Sequence, residues 1–152
     1  MATRCLIAAP LRALGLPTPP LARDAVGYIG CFRGELADAG LMLARHYRAT
    51  AAVASLLRGG DLLALGATPE TSRYDAHRPK DAPYAVLRHP FAREHSIAAL
   101  KTGPIEEVYL ANVASDGRVF WAFARGVVWA PVPVALHNRG LIGLAEFMEM
   151  TR

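Results

Sequence analysis

Apolar and polar positions along this chain change period several times, and each change marks an element. Residues 3–9 form a short apolar run closed by Pro10. Residues 25–32 form another, beyond the proline-rich stretch Leu16-Pro17-Thr18-Pro19-Pro20-Leu21. Runs of this length bounded by turn residues predict two strands joined by a long loop. Gly34 breaks the pattern. From residue 35 to 47 the apolar side chains Leu36, Ala39, Leu43, Ala44 and Tyr47 recur at helical spacing, which predicts an amphipathic helix. Thr50 is placed to cap a second helix reaching Leu57, and Gly59 with Gly60 terminates it.

Residues 61–66 are a short apolar segment, and the polar stretch that follows to about Pro83 has no clear period. A long irregular stretch inside a compact domain is usually functional or mobile. Residues 84–87 read as a strand, and residues 95–101 as a short helix ended by Gly103-Pro104. Residues 108–113 and 119–123 are β-rich runs around Ser115-Asp116-Gly117, whose Asp-Gly pair predicts a hairpin turn. A third extended run ends at Trp129 and is stopped by Pro131 and Pro133, and residues 141–150 predict a C-terminal helix.

These elements predict a single α+β domain over residues 1–152, an antiparallel sheet with two adjacent helices packed on one face and a C-terminal β-hairpin. The helix spacing invites a DNA-binding reading. The second helix argues against it, because its sequence TAAVASLLRGG carries only Arg58, whereas a recognition helix needs several polar side chains at base edges.

With 152 residues and 53% hydrophobic content the chain can bury one real core. The net charge of +4 favours anionic partners, and the cations are unusual in kind. Of 17, only Lys80 and Lys101 are lysine, so 17 minus 2 leaves 15 arginines. Arginine offers a planar fork to carboxylates and phosphates, although GC-rich coding accounts for the same bias. Cys5 and Cys31 are too few for a disulfide framework and sit in apolar strands, which reads as buried thiols in a reducing cytosol, with a single bridge as the alternative. The first 23 residues are free of acids and contain arginines, like a transit peptide, but Pro10, Arg12 and Pro17 interrupt any apolar core of a leader. No run reaches the roughly 20 apolar residues of a membrane span.

Candidate chemistry concentrates between residues 73 and 95, where cations interleave with flat rings. Arg73, Arg78, Arg88 and Arg93 are candidate anion or partner contacts, with Tyr74 and Tyr84 as stacking surfaces and His77, His89 and His95 beside them. The plainer reading is a solvated loop balanced by Asp75, Asp81 and Glu94. His89 and His95 with Glu94 match neither zinc-protease order, and Pro90 keeps the histidines off one helix face, so no metal or other cofactor is expected. Cys31 with His46 would be a nucleophile and base only if the thiol were accessible, and no catalytic residue is assigned. Glu106 and Glu107 are adjacent on a strand and point to opposite faces, so they are no acid/base pair. Trp121 and Trp129 read as core, and His46 as a helix C-terminal cation.

Several pieces, in order, resemble a family of small uncharacterised proteins of phages and bacterial mobile elements. They are Thr3-Arg4-Cys5-Leu6-Ile7, Cys31-Phe32-Arg33-Gly34-Glu35, Leu43-Ala44-Arg45-His46-Tyr47, Gly60-Asp61-Leu62-Leu63-Ala64-Leu65-Gly66, Glu106-Glu107-Val108-Tyr109, Asp116-Gly117-Arg118 and Trp129. Where the family has His-Trp-Asp after the cysteine, this chain has Phe32-Arg33. The resemblance implies a phage or mobile-element context, where small accessory proteins often counter host immunity, and supplies no established activity. The expected function is non-enzymatic binding in the bacterial cytoplasm, inhibiting a host defence protein or complex or sequestering its anionic nucleotide signal. Two alternatives are a nucleic-acid or nucleotide-processing enzyme using the central histidines, and a small structural subunit of a phage particle. Self-association into a homo-oligomer stays open.

Overall fold

The computed structural model describes residues 4–75, 81–88, 105–125 and 128–152, with the side chains of residues 105 and 106 left aside. His77, Arg78, His89, Arg93 and His95, and the helix expected over residues 95–101, lie outside the described residues.

The first hairpin consists of β1 (Arg4–Pro10) and β2 (Val26–Cys31), antiparallel from Cys5↔Cys31 to Pro10↔Val26. A π-helical turn (Leu36–Gly40) leads into α1 (Leu41–His46), and α2 (Thr50–Gly59) follows. Next come β3 (Leu62–Ala64), a 3-10 turn (Pro69–Thr71), β4 (Arg73–Tyr74) and β5 (Ala85–Leu87). The C-terminal part runs β6 (Ile105–Val113), β7 (Val119–Arg125), β8 (Val128–Pro131), α3 (Val132–Asn138) and α4 (Leu144–Thr151).

The described strands form one sheet in the order β4-β3-β2-β1-β6-β7-β8, with β5 also on β2. The class is α+β, as expected, but the sheet is mixed rather than antiparallel throughout. β1 pairs with β6 and β2 with β3 in parallel, because each joins segments that re-enter the sheet after an intervening crossover. β2 thus has a divided outer edge. β3 meets it at Cys31 and β5 meets it from Val26 to Tyr28.

Alternation along β1 sorts its side chains between two cores. Cys5, Ile7 and Ala9 face the helical layer with Ile29, Leu43, Leu56, Tyr109 and Trp121. Leu6 and Ala8 join Val26, Val108 and Leu110 on the opposite face, against which Tyr28, Leu87 and Trp129 pack. The first two helices pack as the periodicity requires: Leu36, Ala39, Leu43, Ala44 and Tyr47 are all buried. The expected single helix over residues 35–47 is instead wound in two pieces that meet at Gly40, whose close seat on Leu36 and the Tyr109 ring leaves no room for a side chain. Thr50 is the first helical residue of α2, not its cap, since Ala49 holds that position.

The second hairpin turns at Ser115-Asp116-Gly117 as expected. Gly117 supplies a φ of 86°, and the Asp116 carboxylate accepts from the Arg118 backbone N–H at 3.1 Å. Pro131 and Pro133 do end β8, but they also open α3, which the sequence pattern does not reveal. Proline fits the first helical turn because an N–H there has no intrahelical partner.

Candidate functional site

The turn from Cys31 to Glu35 carries Arg33, one of two left-handed non-glycine residues among those described, the other being Leu21. Arg33 has φ 57°, a left-handed conformation that costs a residue with a Cβ about 1–3 kcal/mol and that gathers at functional sites. Gly34 follows because the chain passes directly over Cys5. A Cβ there would lie 2.4 Å from that of Cys5. The turn is held from below by Tyr109, whose hydroxyl donates to the Gly34 carbonyl at 2.6 Å. Tyr109 stacks on Phe123 at 5.8 Å between ring centres, and its one hydroxyl proton is shared with Glu107 Oε2 at 3.0 Å.

Glu107 is the one buried charged residue among those described, and Arg125, its partner across β6 and β7, approaches Glu107 Oε1 at 3.6 Å. Burial raises the Glu107 carboxyl above its ordinary value, with Tyr109 and Arg125 opposing. Burial likewise raises Asp38, helped by a hydrogen bond to Glu35, and drives the Tyr109 hydroxyl far up.

Two clefts flank it. One, of about 160 Å³, is lined by Arg4, Cys5, Cys31, Phe32, Asp61 and Asp75, together with Leu6, Gly30 and Leu62. At its rim the Arg4 guanidinium lies 4.4 Å from the centre of the Phe32 ring, a cation–π contact. Asp61 Oδ1 accepts from Gly30 N–H at 2.8 Å, and the Asp61 carbonyl accepts from Asp75 N–H at 2.8 Å, so this acid braces β2 and the end of β4. The other cleft, of about 110 Å³, is lined by Arg33, Asp38, Met42 and Leu65. Cys5 and Cys31 are both free thiols and buried. A hydrogen bond with Cys31, then burial, raises the Cys5 thiol well above its ordinary value. A buried thiol held protonated is a poor nucleophile.

The described members of the arginine and tyrosine group do not converge. Arg73 is exposed on β4, near the Cys31 end of β2, whereas Arg88 is exposed just beyond β5, which meets the Val26 end. Tyr74 lies against Gly59 and donates to the Pro69 carbonyl at 2.8 Å, and Tyr84 lies over Gly27, so both rings are engaged within the fold. Trp121 is core, its indole donating to the Tyr47 carbonyl at 2.9 Å, while Trp129 packs on the second core. His46 is exposed at the end of α1 and Cys31 is buried in β2. Among the described residues no group of three or more His, Cys, Asp or Glu side chains is arranged to hold a metal ion, and no helix is long and apolar enough to cross a membrane.

Reading single segments misses the Arg4, Phe32, Asp61 and Asp75 cleft because its members come from four separated stretches. The signal that could have found it was the placement of Arg4, Phe32 and Asp61 at the ends of three apolar runs that read as strands or as a short apolar segment. Comparison with protein-family models, with curated proteins and with solved structures finds no match to this chain.

Proposed function

We propose that this chain is a non-enzymatic accessory protein of a phage or mobile element that acts in the bacterial cytoplasm by binding and inhibiting a host defence protein, with the turn from Cys31 to Glu35 as its contact. The observation that carries this reading is convergence. Arg4 and Cys5 from the first family-like piece, Cys31 and Phe32 from the second, and Asp61 and Leu62 from the fourth line one cleft. Tyr109 from the fifth holds Gly34, and Glu107 from the same piece accepts from Tyr109. Tyr47, which ends the third, donates to the carbonyl of Gly66, the last residue of the fourth, at 2.9 Å. Members of the first, second and fourth pieces thus line one cleft and the fifth holds the turn beside it, whereas the Asp116-Gly117-Arg118 hairpin and Trp129 lie elsewhere.

A protein partner suits this surface better than a nucleotide. Asp61 and Asp75 beside Arg4 give the cleft mixed charge, which opposes a phosphate chain and suits polar side chains of both signs. Phe32 and Arg33 are the residue types that anchor protein interfaces. Arg73, exposed two residues before Asp75, extends the same surface.

Affinity capture from a bacterial lysate, with mass analysis of retained proteins and small molecules, tests the reading. A single host protein retained in stoichiometric amount is expected. Retention of a nucleotide with no protein, or turnover of one, overturns it.

A further inference from the structure

Cys5 and Cys31 are direct partners across the antiparallel β1 and β2, and both belong to the helix-facing core. Such partners lie roughly 4.5–5.5 Å apart at Cα. That falls within the range of about 4.4–6.8 Å that a disulfide spans, so a bond needs no movement of the strands. Cys31 is the largest cause of the raised Cys5 thiol, and Cys31 Sγ donates to the Phe32 carbonyl at 3.0 Å. Both line the larger cleft, which gives a small reagent a route to them.

We propose that Cys5 and Cys31 form a modification site, a dithiol that a small peroxide converts to a disulfide within the folded monomer. Cys31 reacts first, since it is the last residue of β2 and lines the cleft, whereas Gly34 covers Cys5. The Cys31 sulfur attacks one peroxide oxygen, the O–O bond breaks, and water leaves with the thiol proton, giving a sulfenic acid. The Cys5 sulfur, a weak nucleophile but held in register opposite Cys31, then attacks the Cys31 sulfur as its proton passes to the departing hydroxyl. The S–S bond forms, the S–O bond breaks, and a second water carries away the Cys5 proton. The pair loses two electrons, and the peroxide is reduced to water. Closing the bond pins the chain immediately before Phe32 to β1, so the site would tie the geometry of the turn to the presence of oxidant. This inference is independent of the binding reading.

The test treats the native protein with hydrogen peroxide, quenches it, denatures it and alkylates the remaining thiols before peptide mapping. Expected are a monomer with the Cys5 and Cys31 peptides joined, no alkylated cysteine, and recovery of both thiols with dithiothreitol. Oxidation of any of the four methionines is distinguishable, because it adds oxygen and leaves the thiols open to alkylation. In Cys5→Ser the reaction should stop at a sulfenic acid on Cys31 that dimedone traps. Two alkylated cysteines after peroxide treatment, a bond formed only in denatured protein, or only interchain dimers would overturn the proposal, and these outcomes are read on the unmutated chain.

Discussion

The Tyr109 hydroxyl donates to the Gly34 carbonyl at 2.6 Å across 75 positions of sequence, fastening the turn after β2 to the floor formed by β6. That bond explains how a turn containing a left-handed arginine keeps one shape. Tyr109 is itself fixed by its stack on Phe123 and by Glu107, so the turn rests on a buried platform.

Tyr109→Phe keeps the ring and its stack but leaves the buried Gly34 carbonyl without this donor. The expected loss is about 1–3 kcal/mol of unfolding free energy. Denaturant titration checks it. A loss under about 0.5 kcal/mol would mean that the turn is held by other contacts.

Glu107 sets a pH dependence whose sign follows from its raised carboxyl. The stability contributed by the neutral form is fully present below the ordinary value of 4.5 and is lost as pH rises through the higher folded value. Asp38 acts in the same sense. Glu146, lowered by its hydrogen bond from Arg45, acts in the opposite sense and loses its contribution as pH falls. Glu107→Gln removes one of these alone. Its melting temperature should therefore gain on that of the native chain as pH is raised from about 4.5 to 7.5. Melting curves that run parallel across this range would contradict the assignment.

Leu43→Asp should prevent folding. Leu43 is fully buried among both sheet and helical residues, and an ionised carboxylate there costs more than a domain's total stability of about 5–15 kcal/mol. Circular dichroism with a thermal scan reads the result, and a cooperative native-like transition would sink the helix packing described above.

What could be read from the sequence followed from local chemistry. The periodicity of Leu36, Leu43 and Tyr47 pointed to a buried helical face, and Asp116-Gly117 to a hairpin, because in both cases the determining residues are neighbours in the chain. The parallel pairing of β1 with β6 had no local signal, since it joins Leu6 to Val108 through everything between. Two prolines concealed α3, because a residue that ends a strand also suits a first helical turn. The cleft was obscured for a related reason. Arg4, Phe32 and Asp61 meet only because Cys31 is in register with both Cys5 and Leu62. The arginines between residues 73 and 95 drew attention by density alone, yet register sends Arg73 and Arg88 toward opposite ends of β2.

The most direct test of the central claim is to measure how tightly the captured partner binds a paired variant, Phe32→Ala with Arg33→Gly. Glycine suits the left-handed backbone at position 33, so the variant should fold while presenting neither anchor. The account predicts an unchanged melting transition and binding weakened by about tenfold or more, the scale of a lost interface anchor. Arg88→Gln, at the far end of β2, should bind as the native chain does. Undiminished binding by the folded Phe32 and Arg33 variant would contradict the account and place recognition elsewhere on the protein.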